Sequence, residues 1–417
     1  MKSVIRIAGY SLLCALVSVT AHAETLMPDG TPCHCDDDAL PDYASTLTGD
    51  WGGLRTAWAK RGVDVQAAYT AEMLNNFAGG IKTGADGMDN LDVTIAVDGK
   101  KLFGLEGMQF FIYALNNNGA GFNGNHVGSG EGVSNIEVDE PTAKIYEAWV
   151  EQAFWQDRAS LRAGLYDLNS EFDATESSAV FINPTYGIDT AYAASGAGGP
   201  SIFPTTALGG RLQVMPAEDV VVNAAVLDGV PGSATDADGT HVDFDDKDGL
   251  LLALEAAYGT VETGRVGVGG WFYTGHLDHL SDVDGSSNPL RRHAQGLYGM
   301  AEKTLYAPSD ERHLDGFIRM AGAPGNVSQF DYSGSFGVSY TGPFASRAED
   351  VAGLAFHTAH NSDPYLRANA GADDAEWGVE ATYAAQVLPW LNLQPDVQTE
   401  LQSRFETVMQ ALQGAAE

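Results

Sequence analysis

The chain has 417 residues, of which 44% are apolar and 19% are charged, enough for one large domain or roughly two to three ordinary ones. Only 22 lysines and arginines stand against 56 acidic residues, for a formal net charge of −34. Because a phosphate-binding surface needs clustered lysine and arginine, this balance excludes nucleic acid as a partner. The 49 glycines, together with many aromatic residues, are typical of an all-β protein.

The first 23 residues have the pattern of a cleaved secretory signal peptide. Lys2 and Arg6 are basic, residues 7–19 are apolar, and Ala21-His22-Ala23 matches an A-x-A cleavage signal. The apolar run is too short to span a bilayer core of about 30 Å. Because the sequence contains no other apolar run long enough for a transmembrane helix, the exported chain is predicted to be either soluble or a barrel.

Residues 24–62 are predicted to form a polar leader followed by one short helix. Asp50 is the expected cap, Leu54 and Trp58 lie one turn apart, and Gly62 ends the helix. Within this leader, Cys33 and Cys35 favour a local disulfide or two free thiols over a metal site, because further ligands are absent nearby.

A second polar segment, the acidic loop at 235–248, does not have the spacing of a calcium loop. No metal site and no cofactor are therefore predicted for this chain.

From Val63 onward the apolar period changes from about 3.6 to two, which indicates strands. Leu91, Val93 and Ile95, for example, alternate with polar or small residues. Fifteen strands are predicted, near 64–73, 90–98, 107–115, 143–154, 159–166, 207–215, 219–227, 250–258, 264–274, 294–304, 314–322, 330–340, 351–360, 376–387 and 391–398.

The gaps between these strands alternate between long and short. Long loops at one end and tight turns at the other are typical of outer-membrane barrels, whereas a soluble sandwich has no reason to keep that alternation. Spanning strands must also close into a ring, because lipid satisfies no backbone N–H or C=O group. The fold class predicted for residues 63–398 is therefore a transmembrane antiparallel β-barrel of about sixteen strands. The long gaps are 116–142, 167–206, 228–249, 275–293 and 361–375, and the short ones include 155–158, 216–218, 259–263 and 388–390.

Several short motifs occur in a fixed order along residues 47 to 398. They are LTGDWGGLR at 47–55, YEAWVEQ at 146–152, RAGLYDLNSEF at 162–172, FIN at 181–183, GPSIFP at 199–204, EATY at 380–383 and PWLNLQPD at 389–396. Together they resemble the carbohydrate-selective porins of the OprB family, and residues 162–172 are the most specific match.

That resemblance implies a monomer or homotrimer in the outer membrane of a Gram-negative bacterium, in contact with lipid and lipopolysaccharide. It implies passive diffusion of mono- or small oligosaccharides such as glucose, and no enzymatic activity. It also implies that two extracellular loops fold inward to narrow the pore, for which 116–142 and 167–206 are the candidates.

The C-terminal segment departs from the family pattern, which ends in a further strand with a terminal aromatic residue. Residues 399–417 instead show apolar residues at helical spacing, among them Leu401, Phe405 and Leu412. An atypical tail is therefore expected after residue 398, and the closing strand of the barrel is not predicted.

The channel residues are predicted from the alternation within strands. Glu147, Trp149 and Glu151 share one face, opposite Tyr146 and its neighbours. This face is predicted to line the lumen, because a charged carboxylate on the lipid-facing side would destabilise the barrel. Trp149 is then a stacking surface for sugar rings, the alternative being an interfacial aromatic girdle. The remaining candidates are arginines within strands, an aromatic residue on the face of one of them and two loop acids: Arg162, Arg211, Arg265, Arg319, Trp271, Glu171 and Asp173.

Three other interpretations compete with a sugar porin. A general or cation-preferring porin would keep the barrel and lose sugar selectivity, since a negative lumen favours cations. An outer-membrane hydrolase is disfavoured because the sequence contains no Gly-x-Ser-x-Gly motif. A soluble secreted all-β binding protein is the third.

Overall fold

The computed structural model describes residues 6–12, 16–18, 40–119, 121–232, 238, 248–309 and 311–403. Most of the predicted signal peptide, Cys33 and Cys35, most of the acidic loop and the tail from 404 lie outside the described residues. Among the described residues, no helix is both long and apolar enough to cross a membrane.

One large antiparallel sheet dominates the structure, and fourteen of the fifteen predicted strands are present in it as single strands. The fifteenth, 391–398, is divided into Leu391–Gln394 and a strand that begins at Asp396. Every strand pairs with its neighbours in the sequence, so the chain runs up and down around the sheet. The strands are β1 Val63–Asn76, β2 Gly84–Asp98, β3 Met108–Asn117, β4 Thr142–Phe154, β5 Ala159–Tyr166, β6 Ala207–Ala217, β7 Val220–Asp228, β8 Leu250–Tyr258, β9 Arg265–Tyr273, β10 Gln295–Ser309, β11 Arg312–Gly322, β12 Phe330–Thr341, β13 Val351–Asn361, β14 Ala375–Leu388 and β15 Asp396–Ser403.

The two faces of the strands differ as the two-residue period predicts. On β8, Leu252 and Leu254 are exposed, whereas the intervening Ala253 and Glu255 are buried. On β11, Ile318 is exposed and Arg319 is buried. An apolar outer face with buried charges behind it is the arrangement of a barrel wall, in which lipid meets apolar side chains and the interior is polar.

The ring closes through a segment close to the N-terminus. Arg6–Leu12 pairs antiparallel with β15, from Arg6 opposite Gln402 to Leu12 opposite Val397. On its other side, Ser11 lies opposite Asn76 of β1. In the full chain this segment is the sixteenth member of the ring. It lies within residues 1–23, so the predicted cleavage after Ala23 would remove it from the seam.

The last strand extends beyond the barrel boundary predicted at residue 398. β15 continues to Ser403, which lies opposite Ala375 of β14. The helical spacing expected from Thr399 is therefore not followed by residues 399–403. The physical reason is that β14 presents unpaired backbone groups along this edge, and polar and apolar residues still alternate through Glu400 and Leu401.

The described residues contain only short helices. The predicted N-terminal helix is Leu54–Ala59, and its N-cap is Gly53 rather than Asp50. Asp50 acts from further upstream, since its carboxylate accepts hydrogen bonds from the Thr56 backbone N–H and hydroxyl, both at 2.8 Å. The other α-helices are Gly99–Phe103, Thr190–Ala193 and Asp363–Ala368, and a separate hairpin pairs Leu277–Val283 with Pro289–Arg292.

Candidate functional site

Two long connections pack inside the ring, as the family resemblance implied. We call residues 118–141 the first inward loop and residues 167–206 the second inward loop. Phe122 and Val127 of the first loop form a buried cluster with Leu74 of β1 and Met88 of β2. Phe172 and Tyr192 of the second loop are fully buried in a larger cluster that includes residues of β7 to β13. Both loops are thus fixed to the inner face of the wall.

Four charged side chains join the second inward loop to the wall, and we call them the charged quartet: Glu151, Arg162, Glu171 and Arg211. Arg162 Nε donates to Glu151 Oε2 at 2.7 Å, and Arg211 Nη2 donates to the same oxygen at 2.9 Å. Glu171 of the loop accepts from Arg211 Nε at 2.7 Å and also from the Tyr166 hydroxyl. All four predicted residues therefore meet in one buried network, in which each guanidinium contacts two carboxylates.

Trp149 and Glu147 lie beside this quartet on the inner face of β4. The Trp149 ring stacks on Phe111 with centroids 5.1 Å apart, and the Arg162 guanidinium carbon lies 4.0 Å from its centroid. Trp149 Nε1 donates to Glu147, which also accepts from the Asp167 backbone N–H. Trp149 is 6% exposed, so its stacking surface is covered by protein, and its contact with sugar stays a prediction.

The alternation of β4 differs from the sequence-based expectation at one position. Tyr146 was expected on the face opposite Glu147, but the structure places both side chains inside. A β-bulge explains this, because the register of β3 with β4 shifts so that Tyr113 lies opposite Glu147 and Ala114 opposite Ile145. The Tyr146 ring packs against Tyr113.

Arg265 connects the second inward loop to β10 on the neighbouring part of the wall. Its Nη1 donates to Glu302 Oε1 at 2.9 Å and to the Ala174 carbonyl oxygen at 3.1 Å. Glu302 Oε2 in turn accepts from the backbone N–H and the hydroxyl of Ser177, at 3.0 and 2.8 Å. Arg265 thus acts on the loop both directly and through a carboxylate.

Arg319 of β11 holds the middle of the second inward loop. Its Nη2 lies 3.3 Å from Asp173 and its Nε lies 4.0 Å from Asp189, and Nη1 donates to the Tyr186 carbonyl at 2.6 Å. Burial raises the pKa of the Asp173 carboxyl, which Arg319 opposes. Burial also raises the pKa of Asp189 well above its usual range, and the neighbouring Asp173 adds to that shift.

Trp271, predicted as part of a sugar track, lies under the loop. The Tyr192 ring stacks on it with centroids 4.2 Å apart and planes inclined by 10°. Tyr298 lies beside both rings, with its centroid 5.8 Å from that of Tyr192 and 6.3 Å from that of Trp271. Trp271 is therefore a packing surface for the second inward loop in this structure, and direct contact with a sugar stays a prediction.

Sequence reasoning missed a set of carboxylates on the barrel wall that accept hydrogen bonds from backbone N–H groups of the loops. Each is a single acid on the inner face of its strand, which is the signal that could have revealed it. The acceptors and donors are Glu255 with Asp173 at 2.8 Å, Glu302 with Ser177 at 3.0 Å, Glu376 with Gly130 at 2.8 Å, and Glu380 with Ile182 at 2.7 Å and Asn183 at 2.9 Å.

A cavity of about 530 Å³ lies between the second inward loop and the short turns of β5–β9. Glu171, Glu176 and Arg265 line it from the loop side and the adjacent wall, with Asn223 and Arg158 nearby. Carboxylates, guanidinium groups and an amide are groups that can replace the hydration of a polar solute. The interior thus offers polar space beside a fixed constriction.

A family model described as the carbohydrate-selective porin, OprB family, matches residues 82–404 of this chain. The chain belongs to the OprB family. Porin B of Pseudomonas aeruginosa is 22% identical over 413 residues, an alignment that covers 88% of this chain and 89% of that protein.

Two solved structures share the fold of this family member. The high-pH structure of Pseudomonas putida OprB superposes with a TM-score of 0.75 at 17% identity, covering 88% of this chain and all of the other. The low-pH structure of the same protein gives a TM-score of 0.54 at 14% identity, covering 87% and 99%. This OprB-family chain is therefore a β-barrel porin of the Gram-negative outer membrane, and it serves carbohydrate passage.

Proposed function

We propose that monosaccharides such as glucose cross this OprB-family barrel by passive diffusion between the two inward loops and the wall. The observation that carries this proposal is the charged quartet, which fixes the second inward loop across the interior through Glu171 and Arg211. A loop held by buried charge-assisted hydrogen bonds keeps a constriction of constant shape, which a selective pore needs. Passive diffusion also requires weak, exchangeable contacts, and the polar cavity supplies them.

The predicted channel residues divide into two roles in this proposal. Arg265 lines the cavity and is the predicted residue that contacts sugar hydroxyl groups, whereas Glu171, which is buried in the charged quartet, is a positioning residue. Trp149, Trp271 and Arg319 act as positioning residues, because their side chains are covered by loop or wall groups. Glu176, which the sequence did not single out, is an exposed cavity residue and joins the first group.

Current block by glucose in planar bilayers tests this assignment. Glu176→Gln replaces one charged acceptor of the cavity by a neutral one, and we expect the half-blocking glucose concentration to rise about threefold to tenfold, as the difference of about 1 kcal/mol between a charged and a neutral hydrogen bond implies. Glu106→Gln is the matched control, because Glu106 is exposed on a turn and pairs with the exposed Lys100 across 3.5 Å. An identical glucose block in both variants contradicts the assignment.

A second candidate function, a cation-preferring porin without sugar selectivity, is favoured by one observation. Five carboxylates and two guanidinium groups line the cavity, which gives it a negative balance. The carboxylates belong to Glu171, Glu176, Glu218, Asp219 and Glu255. Strong cation selectivity in a salt gradient together with no current block by any sugar would support this function in place of the first.

The chain is further proposed to act without catalysis, as a channel alone. This is supported by the absence of a Gly-x-Ser-x-Gly motif from its sequence. Labelling with a serine-directed inhibitor and a lipase assay on the purified protein test it, and a labelled, active protein would contradict it. The barrel is proposed to function as a monomer or a homotrimer embedded in lipid and lipopolysaccharide, and native mass spectrometry distinguishes the two.

A further inference from the structure

A buried group of three potential metal ligands joins the first inward loop to the last strands of the barrel. Glu131 belongs to that loop, His357 to β13 and Glu400 to β15. His357 Nε2 lies 3.3 Å from Glu400 Oε2 and 3.9 Å from Glu131 Oε2, and the three ligand atoms lie within 4.8 Å of one another. Their side chains are at most 5% exposed.

The hydrogen bonds of His357 place its Nε2 toward the two carboxylates. The Thr185 hydroxyl donates its only proton to Asn183 Oδ1 at 2.7 Å, and its oxygen lies 3.0 Å from His357 Nδ1. Nδ1 must therefore carry a proton and donate it to Thr185. This leaves Nε2 as the ring nitrogen that faces Glu131 and Glu400.

One carboxylate oxygen in this group has no hydrogen-bond donor. Glu131 Oε2 is fully buried and accepts no hydrogen bond from any residue that the structure describes. Among the same described residues, no lysine or arginine forms an ion pair with Glu131 or Glu400, so His357 is their only potential cationic partner. Glu131 Oε2 is thus a buried oxygen without a donor, and it lies near His357 Nε2 and a carboxylate oxygen of Glu400. A bound cation would satisfy this oxygen.

Each potential ligand is also oriented by a second residue, which is typical of metal sites. Thr185 orients His357, the Asn183 amide donates to Glu400 Oε1 at 3.2 Å, and Thr190 donates to Glu131 Oε1 at 3.2 Å. All three orienting residues belong to the second inward loop, so the two loops meet at this point.

We propose that Glu131, His357 and Glu400 bind a divalent transition-metal ion of the Zn²⁺ class, which fastens both inward loops to strands β13 and β15 of the barrel. Imidazole and carboxylate are ligands that Zn²⁺ accepts at about 2.0–2.2 Å, and a tetrahedron with such bonds separates its ligands by about 3.4 Å. The observed separation of 3.3 Å fits this edge, and the one of 3.9 Å fits after a small movement of Glu131. Two carboxylates and a neutral imidazole also balance the charge of a divalent ion, and a water molecule would complete the tetrahedron.

The test is metal titration of the tag-free full chain in detergent, after removal of metal with EDTA. We expect one Zn²⁺ per chain by elemental analysis after gel filtration. Glu131→Gln should weaken binding at least tenfold, and His357→Ala should abolish it. Glu131→Gln lies in a loop, so the ring of strands still folds, which heat-dependent mobility in gels verifies.

Two control variants separate this site from the remaining histidines. His360→Ala alters the same strand, where His360 pairs with Asp331 at 2.7 Å, and His276→Ala alters a surface pair whose rings lie 4.0 Å apart. Both should retain one Zn²⁺ per chain. Co²⁺ bound to the wild type should show the visible absorption of a four-coordinate ion, and Glu131→Gln should lose it. A wild type without bound metal, or equal binding in Glu131→Gln, would overturn the proposal, and a proton shared by His357 and the carboxylates would then hold the loops.

Discussion

Arg211→Met tests whether the charged quartet fixes the second inward loop. Arg211 is 1% exposed and contacts both Glu171 of the loop and Glu151 of the wall. Methionine fills similar volume but leaves the two carboxylates without this cation. Removing one partner of a buried ion pair costs about 3–5 kcal/mol, because the remaining charge stays buried and uncompensated. Arg162, at 3.5 Å, and the Tyr166 hydroxyl would then remain beside Glu171.

This cost acts on the contact between the second inward loop and the wall, because Glu171 of the loop pairs with Arg162 of β5 and Arg211 of β6. If the whole cost acts on the folded loop, the population with a released loop rises roughly 100-fold to several thousandfold, at about tenfold per 1.4 kcal/mol. Single-channel recordings in planar bilayers should therefore show frequent excursions to higher conductance. Glucose block should weaken in the same variant.

Matched variants make the result specific to the quartet. Arg291→Met removes the same charge from an exposed hairpin, where Arg291 pairs with Asp278, and should leave the recordings unchanged. Arg211→Lys keeps the charge without the planar fork and should give an intermediate effect. If Arg211→Met shows no additional high-conductance excursions and a normal glucose block, with the barrel intact in gels, the charged quartet does not fix the loop.

Three further predictions concern the loops and the N-terminus. Glu380→Gln weakens the acceptor of the Ile182 and Asn183 backbone N–H groups, and hydrogen exchange at these amides should accelerate about tenfold, whereas unchanged exchange would count against a carboxylate anchor. Because burial raises the pKa of Asp189, the folded loop binds this proton more tightly than a released loop does, so its contribution to loop stability is fully present below the ordinary aspartate pKa of about 4 and lost as pH rises through the raised pKa. Current noise should therefore fall as the pH is lowered from about 8 to about 5, with a smaller change in Asp189→Asn, and an equal change in both would contradict the assignment. The mass of the outer-membrane form should correspond to a chain that begins at Glu24, and a mass that retains residues 1–23 would contradict cleavage after Ala23.

The strands were predictable because the barrel wall separates two solvents. A residue such as Leu254 meets lipid and its neighbour Glu255 meets the polar interior, so the two-residue period is visible in the sequence. The bulge at Tyr146 was not predictable, because one extra residue changes the face without any change in composition. The continuation of β15 to Ser403 was not predicted, because the side-chain spacing from residue 399 fits both a helix and a strand, and the pairing with β14 decides between them.

The interior was predictable only in part, because its contacts join residues distant in the sequence. Single arginines within strands indicated Arg162 and Arg211, but their meeting with Glu171 depends on how the loop folds back. Single inward acids such as Glu380 carried the same kind of signal, yet their partners are backbone N–H groups of a loop almost 200 residues away. The covering of Trp149 by Arg162 likewise follows from tertiary packing alone.

We infer that this OprB-family barrel selects sugars through its fixed inward loops. Swelling of liposomes that contain the purified protein measures this directly, when glucose, a disaccharide and an uncharged amino acid of similar size to glucose are compared at equal osmolarity. We expect glucose to enter fastest and this preference to shrink in Arg211→Met. Equal rates for glucose and the amino acid, with no effect of the variant, would contradict it.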